Sequence, residues 1–232
     1  MVKIKGLEKF APKDFPAHIS ATVFLGGCNF RCPFCHNADL VLRPESLPTF
    51  PIDFFISFLD ERRGWLEAVC ITGGEPLLDE DLETLVRVIK ERQLLVKIDT
   101  NGSFPDRLEH LIREKIVDFI AMDIKAPLGK YERVVGRRVP EKDIQWSVDL
   151  IRSSGLAYMF RTTVVPGLID FKEIREIGEW LRGAKLYQLQ QFSPKNTIDP
   201  HYLHVRPYDR KDILKMAEIA REYFAEVRVE GI

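Results

Sequence analysis

The sequence predicts an α/β fold, a parallel sheet or barrel assembled from βα units. Three observations predict it. Short runs rich in β-branched residues alternate with longer amphipathic stretches along the whole chain. The length of 232 residues, with 45% hydrophobic content, suffices to bury one large core, so residues 1–232 are read as a single domain. The residues with chemistry to offer fall almost entirely just after the predicted strands, the end at which α/β folds gather their ligands.

Six strand–helix units follow in order. The first strand, 18–25, runs into Gly26-Gly27-Cys28, and helix 52–62 starts after Pro51. Strand 68–72 ends at Gly73-Gly74-Glu75-Pro76, and helix 80–91 places Leu82, Leu85, Val86 and Ile89 at helical spacing. Strand 94–99 ends in Asp99-Thr100-Asn101-Gly102, with helix 107–115 behind Pro105. Strand 119–124 leads into Met122-Asp123-Ile124-Lys125, and helix 141–153 lies between Pro140 and Gly155. Strand 157–165 carries Arg161 and ends in Val165-Pro166-Gly167, and helix 171–181 stops before Gly183. Strand 185–191 runs into Gln190-Gln191-Phe192-Ser193-Pro194, and helix 209–224 closes the series.

Charge and hydropathy exclude several classes. Thirty-four basic residues against thirty-five acidic give a net charge of -1, so no global field draws the chain to nucleic acid or an anionic membrane. A local basic group, Arg133, Arg137 and Arg138, reads as a solvated loop. No stretch approaches the roughly twenty apolar residues of a membrane span, and the start has no apolar signal core, so a soluble protein is expected.

Four cysteines carry the strongest signal. Cys28, Cys32 and Cys35 lie within eight residues, while Cys70 sits alone in an apolar strand and reads as core packing. A disulfide framework does not suit a long chain with clustered thiols, which places the protein in a reducing, cytoplasmic compartment. Two readings of the triplet stay open. Three thiolates suit a cubane iron–sulfur cluster whose fourth iron remains available to a small molecule. Alternatively, His36 or His18 completes a closed zinc site. Against zinc, His36 is adjacent to Cys35, whereas paired ligands normally lie two to four residues apart, and no second Cys-x-x-Cys pair exists.

The other strand ends are complementary. Gly73-Gly74 lets backbone approach a ligand closely. Asp99 and Asp123 end neighbouring strands and need a counter-charge, which Lys125, on the same face as Asp123, can supply. A salt bridge at the barrel mouth is the plainer alternative.

With these residues in hand, the chain resembles a radical S-adenosylmethionine (SAM) enzyme, specifically the short activating enzymes of glycyl-radical proteins. The resemblance covers nearly the whole chain. It rests on Cys28-x-x-x-Cys32-x-x-Cys35 with Phe34 before the last cysteine, then Gly-Gly-Glu-Pro, Asp-Thr-Asn-Gly and Met-Asp-Ile-Lys in the right order. Cys35-His36-Asn37 and Thr163-Val164-Val165-Pro166-Gly167 narrow it to the activases of pyruvate formate-lyase and of anaerobic ribonucleoside-triphosphate reductase. The resemblance implies a partial (β/α)6 TIM-like barrel, one [4Fe-4S] cluster on Cys28, Cys32 and Cys35, and SAM as cofactor. It implies that Gly73, Gly74 and Glu75 orient the methionine end of SAM and that Phe34 and His36 flank the adenine. Asn101 joins the cofactor contacts, Lys125 and Arg161 meet the SAM carboxylate, and Asp99 and Asp123 hold a monovalent cation. The implied partners are a low-potential electron donor and a glycyl-radical enzyme subunit, the anaerobic reductase first and pyruvate formate-lyase second. A small-molecule radical SAM enzyme such as 7-carboxy-7-deazaguanine synthase, and a zinc-stabilised binding module, are the competing readings. Two departures stand out. The ferredoxin-like insert of longer activases is missing, and a histidine found near SAM in pyruvate formate-lyase activases is replaced here by the Gln190-Gln191-Phe192-Ser193 run, which leaves Gln191 and Ser193 without an assigned role. His201 and His204 read as solvated.

Overall fold

The expected alternation of strand and helix is present, with one further strand at each edge of the sheet. The structure, a computed structural model, describes residues 2–232. In chain order its elements are β1 (Ile4–Glu8), β2 (Ser20–Leu25), α1 (Ala38–Leu42), α2 (Ile52–Glu61), β3 (Ala68–Gly73), α3 (Leu82–Lys90), β4 (Leu95–Thr100) and α4 (Pro105–Arg113). There follow β5 (Phe119–Asp123), α5 (Tyr131–Val135), α6 (Glu141–Ser153), β6 (Ala157–Val164), α7 (Phe171–Trp180), β7 (Leu186–Gln191), α8 (Arg210–Ala220) and β8 (Glu226–Glu230). The strands lie in sequence order in one sheet, with β1 antiparallel to β2 and every other pair parallel. Strands β2 to β7 are the six expected from the sequence. No helix among the described residues is long and apolar enough to cross a membrane.

The helices stay where the sequence puts them because each buries an apolar stripe. In α3, Leu82, Leu85, Val86 and Ile89 are buried, while Glu83, Arg87 and Lys90 lie on the opposite face. Each such buried side chain contributes about 2 kcal/mol relative to exposure. Pro105 is the first residue of α4, two before the expected start, where its missing N–H costs nothing. Asp170 caps α7 by accepting from the Lys172 N–H at 3.0 Å, and Glu173 reaches back to the Asp170 N–H.

Two layers of core result. Outward strand residues pack on the helices in a large cluster that includes Val23, Ile71, Ile98, Ile120 and Leu189. On the inner face, Phe15 from the β1–β2 connection packs with Ala68, Phe119, Ala121, Met159 and Leu186. Three of these, Ala68, Phe119 and Leu186, are first residues of their strands, so Phe15 fills the amino-terminal mouth of the curled sheet. Polar inner-face residues are left at the carboxyl end, where the site forms.

Candidate functional site: a thiol-lined cavity at the carboxyl end of the sheet

The thiol loop is held by backbone-to-backbone contacts with its neighbour. Gly74 N–H donates to the Leu25 carbonyl at 2.9 Å, and Glu75 N–H donates to the Gly27 carbonyl at 2.8 Å. At Gly74 a β-carbon would stand 1.8 Å from the Gly27 oxygen, so only glycine lets the loops after β2 and β3 meet. Gly27 has φ +88° and its N–H reaches the Leu40 carbonyl at 2.8 Å. Within the loop, Arg31 closes over the backbone, donating to the Cys28 carbonyl at 2.6 Å and the Phe30 carbonyl at 2.7 Å. Asn37 Nδ2 ties the far end to the Gly73 carbonyl at 3.0 Å.

The loop forms one wall of a 470 Å³ cavity. Cys28, Cys32 and Cys35 line it, as do Phe34, His36, Gly73, Gly74, Asp99, Asn101, Asp123, Lys125 and Arg161. Residues from five strand ends and 133 positions of sequence thus share one space. Glu75 is the exception among the expected residues. Its carboxylate lies outside the cavity lining and accepts from Leu77 N–H at 3.1 Å, Thr100 Oγ1 at 2.7 Å and Asn101 N–H at 2.7 Å. It clamps the loop after β3 to the loop after β4, and Asn101 in turn points Nδ2 at Asn29 Oδ1, 3.0 Å away.

A chain of alternating charges crosses the cavity floor. Lys125 Nζ lies 2.8 Å from Asp123 Oδ2, and Asp123 Oδ1 lies 2.6 Å from Arg161 Nε. Arg161 reaches Asp99 Oδ2 at 3.2 Å, and Asp99 pairs with the buried Lys97. Sheet register builds this chain, because Asp123 faces Arg161 across β5 and β6, and Cys70 faces Lys97 across β3 and β4. Cys70 is buried as expected, but against polar partners. Lys97 Nζ donates to its sulfur at 3.4 Å, and its thiol lies 3.6 Å from Asp99 Oδ1. Lys97 drew no attention in the sequence, and its only signal is a lysine inside an otherwise apolar strand.

The Arg161 guanidinium bridges Asp99 and Asp123, the place where a monovalent cation was expected, so the two carboxylates already have their counter-charge. Among the described residues, no three His, Cys, Asp or Glu side chains gather closely enough to hold a single metal ion. Lys97, Lys125 and Arg161 outnumber Asp99 and Asp123 by one. That surplus lies beside the thiols, where Lys125 favours the thiolate form of all three.

Burial works against charged Asp99 and Asp123, yet Lys97 and Arg161 around the first, and Arg161 and Lys125 around the second, hold both carboxyls below the usual carboxylate range. A folded pKa below the unfolded value means stabilisation that is complete above about pH 5 and lost as pH falls. Stability to urea should therefore fall between about pH 5 and about pH 3 in the natural chain, and fall less in Asp123→Asn. Lys97→Met, which removes the Asp99 partner in the interior but leaves Arg161, should cost about 3 kcal/mol in urea unfolding at neutral pH.

The thiols themselves invite a metal. Burial pushes the Cys28 thiol up to about 11 and Cys32 up to about 12, and raises Cys35 as well. Without metal all three are neutral at pH 7, and coordination supplies what makes them thiolates. All four cysteines are free of disulfides.

A curled parallel sheet, closed at one mouth and opening at the other on thiols, glycine backbone and fixed charges, defines an α/β enzyme that works through a bound cofactor. Residues 22–181 match the Radical SAM superfamily. A Methanocaldococcus jannaschii protein provisionally named a glycyl-radical enzyme activating enzyme is 32% identical over 99% of this chain and 96% of its own length. The pyruvate formate-lyase-activating enzyme of Clostridium pasteurianum is 27% identical over 85% of this chain and 84% of its length. The crystal structure of Streptococcus suis SuiB bound to S-adenosylmethionine shares the fold, with a TM-score of 0.69 at 18% identity, over 88% of this chain. The chain spans about half of that structure, 48%. The chain belongs to the radical SAM superfamily, among the homologues of glycyl-radical enzyme activating enzymes. Its cofactors are accordingly a [4Fe-4S] cluster and SAM, and a donor set of three thiols, Cys32 buried and Cys28 and Cys35 half-buried, beside a lysine fits the cluster.

Proposed function

We propose that this chain installs a glycyl radical on a partner enzyme, with Cys28, Cys32 and Cys35 as the cluster ligands and anaerobic ribonucleoside-triphosphate reductase as the partner. The observation that carries the activase reading is the 32% identity, end to end, with a relative named for that activity. The compact size of the chain favours the reductase, and the Cys35-His36-Asn37 run fits either kind of activase. A second reading, pyruvate formate-lyase as partner, is favoured by relatives such as that of Clostridium pasteurianum.

What the bound cofactors supply is one-electron cleavage of the SAM sulfonium to methionine and a 5′-deoxyadenosyl radical, which takes a hydrogen atom from a glycine Cα. The chain supplies position. The bare backbone at Gly73 and Gly74 lets an amino-acid moiety lie against the end of β3, and Lys125, oriented by Asp123, meets its carboxylate. Burial opposes the Lys125 ammonium, but Asp123 and then the Cys32 sulfur hold its pKa above the usual lysine range, so it stays cationic. Arg161 steadies Asp123, and Phe34 and His36 give the adenine an apolar wall and a rim. Phe34 is itself wedged edge-on against Tyr202, with ring centroids 6.4 Å apart.

Lys125→Ala should raise the Kd for SAM about tenfold or more, the worth of a charge-assisted contact, while leaving iron content near that of the natural protein. Equal loss of iron and SAM binding would make the lysine structural. The partner is decided by electron paramagnetic resonance after anaerobic incubation with SAM, a low-potential reductant and each candidate in turn. A glycyl doublet is expected with the reductase. A doublet only with pyruvate formate-lyase would transfer the assignment, and none with either, despite 5′-deoxyadenosine formation, would point to another substrate.

A further inference from the structure

We infer that the arginine surface behind the thiol loop, Arg133, Arg137 and Arg138, is the docking site of an acidic one-electron carrier protein. The inference rests on Cys28, Cys32 and Cys35 being the cluster ligands. In sequence these arginines read as a solvated loop, and in the structure they are exposed beside the thiol loop. The end of α5 lies directly on the backbone of the thiol loop, with Arg31 N–H donating to the Val135 carbonyl at 2.8 Å. Gly136, at φ +65°, closes the helix so tightly that a β-carbon there would stand 2.7 Å from the Arg31 oxygen. Arg137 and Arg138 follow at once and are exposed, and Arg133 lies one turn back on α5, also exposed.

Among the described residues, none of the three arginines pairs with a carboxylate; Arg133 makes a 3.4 Å contact to the Gly167 carbonyl. The segment from Tyr131 to Pro140 carries one acid, Glu132, against three arginines, in a chain whose net charge is -1. Such a local surplus attracts an acidic surface and steers its approach, with a strength that falls as salt rises.

The wall between this surface and the cavity decides which partner it fits. Arg133, Arg137 and Arg138 do not line the cavity, whereas Cys28, Cys32 and Cys35 do. A glycine Cα that gives up a hydrogen atom must enter the cavity itself. An electron needs only a short path through protein, and the end of α5 that bears these arginines rests on the backbone of the thiol loop at Arg31. In the transfer the carrier loses one electron and the cluster gains one, with no bond made or broken.

The test uses the cluster-loaded protein and, as probe, an acidic flavodoxin. Calorimetric titration with oxidised flavodoxin at low and high salt compares the natural chain with a variant carrying Arg133→Glu, Arg137→Glu and Arg138→Glu. The inference expects at least a tenfold weaker Kd in the variant and a flattened salt dependence. Cleavage of SAM driven by dithionite should match the natural chain within twofold, while cleavage driven by flavodoxin hydroquinone falls at least tenfold. If the charge reversal lowers the melting temperature, the triple change to Gln replaces it, with an expected loss of threefold or more in Kd. Equal binding by variant and natural chain, or no binding by the natural chain at low salt, overturns the inference. So does intact flavodoxin binding with lost affinity for the glycyl-radical enzyme, which would hand the surface to that partner. Failure of the natural chain to cleave SAM with dithionite would instead strike the ligand assignment, leaving the binding comparison to speak for itself.

Discussion

Cys32→Ala is expected to abolish both cluster binding and SAM cleavage while the protein remains folded. Cys32 is the most buried of the three thiols, 6% exposed. Two thiolates remain on a cluster designed for three, and a second iron is then open to solvent and loss. Iron content should fall below a tenth of the natural value and 5′-deoxyadenosine formation to background. The fold should survive, because the truncation removes one sulfur from a loop that Arg31, Asn37 and the Gly27–Glu75 bond hold independently. Cys70→Ala provides the contrast. It deletes a buried sulfur from the polar interior and should cost about 1 kcal/mol of stability while keeping iron and activity. A Cys32→Ala protein that still cleaves SAM would sink the ligand assignment, and a Cys70→Ala protein that loses its iron would enlarge it.

Gly74→Ala should be nearly as severe for a different reason. The added methyl would sit 1.8 Å from the Gly27 carbonyl oxygen and 2.6 Å from its carbon, both backbone atoms without a rotamer to turn away. Relief requires the loops after β2 and β3 to separate, which breaks the Glu75 N–H bond to Gly27 and shifts Cys28, the next residue in the loop. Overpacking of this kind costs about 3 kcal/mol or more. Iron binding and SAM affinity should fall together, because one displacement moves both the thiol loop and the backbone that faces the ligand. Measuring iron content, SAM affinity and urea unfolding on the same preparation checks this. Retention of SAM affinity would mean that the β3 end does not position the cofactor.

What the sequence made legible follows from the range of the physics involved. Strands β2 to β7 and the six longer helices announce themselves locally, through periodic apolar residues and through Pro51, Pro105 and Pro140 at helix starts. Gly155 and Gly183, with φ of +77° and +84°, stop α6 and α7 as their positions suggested. Short elements did not announce themselves. Helices α1 and α5 are five residues each, too brief for a helical period to show, and β8 alternates two valines with Glu226, Arg228 and Glu230, which reads as a charged tail. The cavity residues were legible because they sit at strand ends, and their motifs stand in chain order. Their electrostatics were not. The bridge from Asp99 through Arg161 to Asp123 depends on register between β5 and β6, and the Cys70–Lys97 contact on register between β3 and β4. Neither register is written in any local pattern. For the same reason, the bonds of Glu75 to Leu77, Thr100 and Asn101 could not be read from its motif.

The central claim is that SAM bound in this cavity is spent on a glycine of another protein. Deuterium transfer tests it most directly. The anaerobic reductase subunit, prepared with α-deuterated glycine, is incubated anaerobically with this protein, SAM and reductant, and the 5′-deoxyadenosine formed is examined by mass spectrometry. The account predicts one deuterium in the 5′-deoxyadenosine for each glycyl radical counted by electron paramagnetic resonance. Unlabelled 5′-deoxyadenosine with no glycyl doublet would contradict it.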